Sequence, residues 1–299
     1  IAYTTSPVHN LDTWLDLAKK IEDSGADSLA IKDMAGLLRP FDAFDLVKSL
    51  KESLNIPIHM QTHATTGMST ATNMKAIEAG IDNIDTSISS LSMTYGHTAT
   101  ETMLAIFEGQ DREINLDLDS LEEVSLFFKD IRDKYSEFEG GLKGVDSTML
   151  VKQVPGGMLS NLESQLRANK QEDKIDLVKE EIPKVRKDFG YPPLVTPASQ
   201  IVGAQALLNV MNSMPYENLS NESINLILGK YGKLPGDINP ELLAKARSKA
   251  VAGEEKDLDD EEFQIMSSEL QELCKNNDLP DLSDNIEMLL TYIMFPNIA

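Results

Sequence analysis

Lys32 closes the apolar run Ser28-Leu29-Ala30-Ile31 and is followed by Asp33. Such a run reads as an interior strand of a parallel sheet, where an unpaired ammonium costs several kcal/mol. A second apolar strand, Pro57-Ile58-His59-Met60-Gln61-Thr62-His63, sets His59, Gln61 and His63 on one face, because side chains alternate along a strand. An amine, an amide and imidazoles at strand ends form the donor set of a divalent metal site. Burial lowers a lysine's pKa, and the neutral amine can then add carbon dioxide to give a carbamate, an anionic oxygen ligand. Imidazole with such an oxygen suits zinc, manganese or cobalt. The bland alternative has Lys32 reaching solvent or pairing with Asp33, and the histidines hydrogen-bonded in the core. Spacing alone leaves both open, since His-x-x-x-His on a strand is a weak signal.

The elements that must position these groups alternate in type. Ile1–Thr4 reads as a strand, and a helix follows from about Asn10 to Ser24, with Leu11, Trp14, Leu15, Ala18 and Ile21 at helical spacing and Gly25 closing it. The unit recurs as strand 28–32, helix 41–54, strand 57–61, helix 70–79 closed by Gly80, and strand 83–86. This order predicts a parallel sheet with right-handed crossovers, in which C-terminal strand ends carry the chemistry. Lys32, His63 and the segment 86–92 all lie at such ends. Four strands make half of an eight-stranded barrel, and a chain that begins inside a strand without a methionine leads us to expect preceding sequence.

From about Glu113 onward the periodicity is helical. Leu121–Tyr135 and Asp173–Phe189 are amphipathic, and Pro197–Asn212 carries Ile201, Val202, Ala204, Leu207, Leu208 and Met211 at helical spacing. Two turn-rich segments intervene, Gln153–Met158 and Leu194–Gln200. In the first, Gly156-Gly157 predicts a tight backbone turn. In the second, Thr196 is expected as an N-cap and Pro197 as the first helical residue, which leaves the Thr196 hydroxyl and nearby N–H groups available to an anionic ligand. His97 and His9, both in loops after strands, are weaker candidates. No GxGxxG or GxxxxGK[ST] occurs, so nucleotide binding is not expected.

Composition narrows the classes. At 299 residues and 41% hydrophobic content, the chain can build one large domain or two ordinary ones. A net charge of −22 argues against nucleic acid or anionic lipid as a partner, because a polyanion is repelled. The acidic runs 111–139 and 254–262 read as solvated faces and a loop. Apolar runs fall short of the roughly 18 residues that span a bilayer, and no signal core is present, so a soluble, cytoplasmic protein is expected. The single cysteine, Cys274, excludes an internal disulfide framework, and its helical setting gives no reason to assign it chemistry.

The strings IKDMAGLLRP, QTHATTGMS, DTSISSLSMTYGHTATE, LKGVDSTMLVKQVPGGMLSNLESQL and PLVTPASQIVGAQALLNV resemble, in order, the carboxyltransferase component of biotin-dependent enzymes. They are most similar to the free-standing subunit of two-subunit pyruvate carboxylases and the alpha subunit of oxaloacetate decarboxylase. The resemblance runs through essentially the whole chain. It implies an α/β fold: the C-terminal half of a (β/α)8 TIM barrel, strands five to eight, over residues 1–110, and an all-helical funnel-like domain over 111–299, with Gly156-Gly157 near their junction. Lys32 matches the carboxylated lysine that binds the family's metal. The family's His-x-His ligand pair falls on Gln61 and His63, so the second ligand is kept and the first is replaced. A glutamine carbonyl is a weaker donor to zinc than imidazole but acceptable to harder ions. His59 would have to move by about 6–7 Å, two residues of strand rise, to take that place. The family's Asp-Thr-Thr-Leu-Arg-Asp-like first-strand motif and Met-Lys-Met carrier motif do not occur in this sequence.

The activity implied is carboxyl transfer between carboxybiotin and pyruvate, giving oxaloacetate, or the reverse. Metal and nearby cations polarise the keto acid towards its enol. By the same resemblance Thr196 binds substrate and shuttles a proton between it and the biotin ureido nitrogen. The implied partners are a biotin carboxyl carrier domain, a biotin carboxylase or membrane decarboxylase subunits, and a second copy of the chain. The residues leave direction of reaction open, and two other readings with it. One is a degenerate relative serving assembly, motivated by Gln61. The other is a different metal-dependent barrel acting on keto acids, such as an aldolase.

Overall fold

Three parallel strands, β1 (Leu29–Asp33), β2 (Ile58–Thr62) and β3 (Asn83–Ile84), lie in that order in one sheet. The computed structural model that defines them describes residues 1–112, 114–139, 142–168, 170–250 and 260–295. The strand expected at Ile1–Thr4 contracts to a bridge between Ala2 and Lys32, held by Tyr3 N–H to Lys32 O and Lys32 N–H to Ile1 O, both 2.8 Å. Past Ile84 the last strand is likewise short: Asp85 N–H still reaches Met60 O at 2.8 Å, and pairing resumes only at a Ser87–Ala99 bridge.

The two faces of the sheet differ. Leu29, Ile31, Ile58 and Met60 are each at most 1% exposed and pack with Trp14, Ala18, Val47, Leu50 and Ala76 in one core. That face is covered by α1 (Leu11–Asp23), α2 (Pro40–Ser53) and α3 (Ser69–Glu78). On the opposite face Ala30 and Lys32 are exposed, and His59 and Gln61 are half-buried. The helices start and stop where local chemistry dictates. Asn10 caps α1 by accepting from Thr13 N–H at 2.9 Å, Pro40 opens α2, and Gly25 and Gly80, at φ +88° and +97°, follow the ends of α1 and α3.

The remainder is helical, and no strand beyond β3 occurs among the described residues. Helices α4 (Thr100–Phe107) and α5 (Leu118–Lys134) come first. The half-buried stripe Leu121, Ser125, Phe128 and Arg132 of α5 faces the turn 89–91, where Ser125 bonds Ser89 at 2.7 Å and Arg132 reaches Ser90 O at 2.7 Å. Then follow α6 (Thr148–Lys152), α7 (Gly156–Ala168), α8 (Ile175–Asp188), α9 (Ala198–Met211), α10 (Asn221–Ile227) and α11 (Pro240–Ala250). Gly156 therefore begins a helix instead of making the expected tight turn. The left-handed residue of that connection is Gln153, at φ 57°. Helices α8 and α9 pack through Val178, Ile182, Val185, Val202 and Ala206, all fully buried.

Contacts divide the chain into compact units at Ile1–Arg247 and Ser248–Ala299. In the second, α12 (Asp260–Asn276) and α13 (Ile286–Met294) bury Leu270, Cys274 and Leu289 together. The acidic run 254–262 lies outside the described residues up to the start of α12. No helix among the described residues is long and apolar enough to cross a membrane.

Candidate metal and substrate site

Register brings the sequence candidates together. Lys32 on β1 is the direct neighbour of Gln61 on β2, Asp33 that of Thr62, and His63 N–H bonds Asp33 O at 3.1 Å. Lys32, Gln61 and His63 therefore share one face at the C-terminal ends of adjacent parallel strands. The apolar run before Lys32 predicts a buried side chain; Lys32 is exposed instead, while its neighbours Gln61 and His63 are half-buried. His59 is level with Ala30, one layer below Lys32, as strand alternation requires.

Asp33 explains how the loop after β1 is held. Its side chain is fully buried and accepts from Leu37 N–H and Leu38 N–H at 2.8 Å and from Thr62 Oγ1 at 3.0 Å. Burial pushes its carboxyl pKa up, opposed by these hydrogen bonds. The same loop needs a glycine. At Gly36, φ +65°, a Cβ would lie 2.4 Å from His63 O, so a side chain there would displace the strand end that carries His63.

A second loop, 93–97, docks on the end of β2. Ala64 N–H donates to Gly96 O at 2.8 Å, the His63 ring bonds Tyr95 O through Nδ1 at 2.6 Å, and the His97 ring bonds Thr62 O through Nδ1 at 3.0 Å. The two rings have centroids 4.5 Å apart. A carbonyl only accepts, so each Nδ1 carries a proton, which leaves Nε2 as the ring nitrogen able to bind a cation. Burial above all, with smaller contributions from the neighbouring His97 and Lys32, holds His63 below the ordinary histidine range against the opposing bond to Tyr95. Gln61 donates its amide to Asp85 Oδ2 at 3.0 Å, which leaves its carbonyl oxygen as a donor to a cation.

These groups fit a divalent ion of intermediate hardness. His63 Nε2 and the Gln61 carbonyl supply nitrogen and oxygen donors, each oriented from behind by a hydrogen bond. Among the described residues no three His, Cys, Asp or Glu side chains form a metal cage by themselves, so an anionic oxygen from Lys32 would complete the set.

Thr196 lies in the turn before α9. Its expected role as an N-cap is not observed: α9 starts at Ala198, Pro197 occupies the cap position, and no side-chain oxygen caps the helix. Thr196 is exposed, in the turn that precedes the helix. Sequence reasoning missed the residue that ties this turn to the sheet. Arg186, 6% exposed, donates to Pro192 O (3.2 Å), Gln153 Oε1 (2.7 Å), Thr4 Oγ1 (2.7 Å) and Thr5 O (3.1 Å). All four acceptors are neutral, and burial lowers its pKa to about 10. The signal was available, since Val178, Ile182, Val185, Arg186 and Phe189 form one buried stripe at helical spacing. His9 has a structural role: its ring stacks on Trp14 at 4.9 Å and Nδ1 pairs with Ser6 Oγ at 2.7 Å.

The parallel three-stranded sheet followed by a run of helices makes this an α/β, helix-rich protein. Residues 149–299 match the conserved carboxylase domain and residues 4–127 the HMGL-like family, and the chain belongs to the carboxyltransferase family of biotin-dependent enzymes. It is 43% identical over its whole length to a pyruvate carboxylase subunit of Methanocaldococcus jannaschii, of which the match covers 52%. It is 44% identical, again over its whole length, to the methylmalonyl-CoA carboxyltransferase 5S subunit of Propionibacterium freudenreichii, of which 59% is covered. The fold matches the carboxyl transferase domain of Rhizobium etli pyruvate carboxylase with pyruvate at a TM-score of 0.82 and 29% identity, covering 98% of this chain and 51% of that one. The chain thus spans about half the length of the relatives it matches.

Proposed function

We propose that this chain is part of a biotin-dependent carboxyltransferase that moves a carboxyl group between carboxybiotin and pyruvate, giving oxaloacetate, or runs the reverse. On this reading residues 1–110 are the second half of a TIM barrel and residues 111–299 its funnel-like helical cover. The protein acts in the cytoplasm with a biotin carboxyl carrier and a biotin carboxylase or decarboxylase partner, as a homo-oligomer. The observation that carries it is the placement of Lys32 beside Gln61, with His63 on the same face, at the C-terminal ends of parallel strands in a member of this family.

Lys32, as a carbamate, and His63 would hold a zinc, manganese or cobalt ion, with a third donor from Gln61 or a neighbour. When bound, such an ion polarises a keto-acid oxygen and favours the enol form. The chain's own residues do the rest. Asp33 fixes the β1 loop, Asp85 orients the Gln61 amide, and Tyr95 O and Thr62 O fix the tautomers of His63 and His97. Thr196, exposed in its turn, accepts a proton from the pyruvate methyl group and gives another to the biotin ureido nitrogen. The N–CO2 bond of carboxybiotin breaks as the new C–C bond forms, so pyruvate and carboxybiotin yield oxaloacetate and biotin.

The test is isotope transfer by the full-length protein. Label supplied on carboxybiotin should appear in oxaloacetate with pyruvate as acceptor, and labelled oxaloacetate should lose its carboxyl only when biotin is present. Absence of transfer in both directions, with metal and carrier supplied, would overturn the proposal.

A further inference from the structure

Position 61 holds glutamine where the family pattern has a histidine, which leaves His63 short of an imidazole partner in sequence. The structure supplies one from elsewhere. His97, in the loop 93–97, lies with its ring 4.5 Å from that of His63 at an interplanar angle of 50°. The two residues exchange support: His63 Nδ1 holds a carbonyl of the His97 loop, and His97 Nδ1 holds a carbonyl of the His63 strand. Metal-binding histidines characteristically donate the non-ligating ring N–H to a backbone carbonyl or carboxylate, which fixes the ring and frees the other nitrogen. Here both rings meet that condition.

Geometry and strain agree. An imidazole bound through Nε2 at about 2.1 Å has its centroid about 3.2 Å from the ion. Rings 4.5 Å apart are at the separation that two imidazoles would take at adjacent, roughly 90° positions of one six-coordinate ion. The loop is held in a costly backbone shape: Met93 and Thr94, neither a glycine, have φ of 63° and 50°. Met93 N–H to His97 O and Gly96 N–H to Met93 O, both 2.7 Å, lock that shape, and strain of this kind persists where the surroundings over-determine it. Gln61, whose amide N–H donates to Asp85, offers only a neutral carbonyl oxygen, a weaker donor than imidazole to such an ion.

We infer that His97 and His63, each through Nε2, are the two imidazole ligands of this protein's metal site, and that Gln61 is a supporting residue held by Asp85. The inference rests on the metal site proposed above, with Lys32 as the remaining protein ligand.

The experiment is manganese binding to the full-length protein, with pulsed EPR on material carrying 15N-labelled histidine imidazole. The unaltered protein should show two coupled imidazole nitrogens. His97→Gln, which can still donate to Thr62 O, should show one and bind manganese at least about tenfold more weakly, whereas Gln61→Ala should keep both imidazole couplings. One coupling in the unaltered protein overturns the inference whether or not a variant folds. So does a His97→Gln protein that keeps two couplings and normal affinity while His63→Gln loses them. If neither histidine variant alters manganese binding, the metal site itself is misassigned, and the inference falls with it.

Discussion

Arg186 on α8 and Thr4 beside β1, 182 residues apart in sequence, are joined by a hydrogen bond of 2.7 Å in a buried setting. With its bonds to Thr5 O, Pro192 O and Gln153, the guanidinium links the first strand segment, α8, the turn after it and the connection between α6 and α7. Five donors in a rigid fork make this an arginine-specific position.

Arg186→Met should destabilise the protein by about 3 kcal/mol, because buried acceptors are left unpaired. Arg186→Lys should recover little of that loss. Urea unfolding midpoints of the three proteins check both statements.

Asp33→Asn tests the buried carboxylate of the β1 loop. Its two oxygens accept from Leu37 N–H and Leu38 N–H separately, and an amide can serve only one of them. A loss of about 2–3 kcal/mol is expected, with faster hydrogen exchange at residues 36–38. An unchanged midpoint would show that the loop is held by other contacts.

His9 should make stability fall in mild acid. Burial, and then the charge of Arg186, hold its pKa at about 4 against an ordinary value of 6.5. A base whose pKa is lower when folded is protonated first in the unfolded chain. The contribution is therefore complete above pH 6.5 and is lost as pH falls towards 4. The denaturation midpoint of His9→Gln should fall less between pH 7 and pH 5 than that of the natural protein, even if it starts lower.

Thr196→Ala should lower carboxyl transfer by roughly 10²- to 10⁴-fold, the range for a lost proton-transfer group. Thr196→Ser should stay within about tenfold of the natural rate. Because the Thr196 hydroxyl caps no helix, the alanine variant should unfold at the same denaturant concentration. A large stability loss would assign the residue to structure instead.

Local rules made the helices legible. The 3.6-residue spacing of Trp14, Ala18 and Ile21, with Asn10 and Gly25 at the ends, placed α1 within one residue of its observed bounds. Alternation along Ile58–Thr62 likewise gave the shared face of Gln61 and His63. What the sequence hid was non-local. The exposure of Lys32 depends on which elements cover its sheet face, and the end of Ile1–Thr4 as a strand depends on its having a single paired neighbour. His97 could be named as a loop histidine, yet its approach to His63 is set by the bond from Ala64 N–H to Gly96 O and by two ring-to-carbonyl bonds between residues 62–63 and 95–97. Thr196 was misread because Thr-Pro before an apolar stripe is a cap signal even where the helix starts one turn position later.

Metal content of the full-length protein with Lys32 and with Lys32→Met tests the central claim most directly. Purified without added metal, the natural protein should carry close to one divalent zinc, manganese or cobalt ion per chain by elemental mass spectrometry. The methionine variant should carry almost none while keeping its folded helical spectrum and unfolding midpoint. Equal metal in both proteins would contradict the account, because Lys32 would then be no ligand and the chemistry assigned to this strand end would have no anionic anchor.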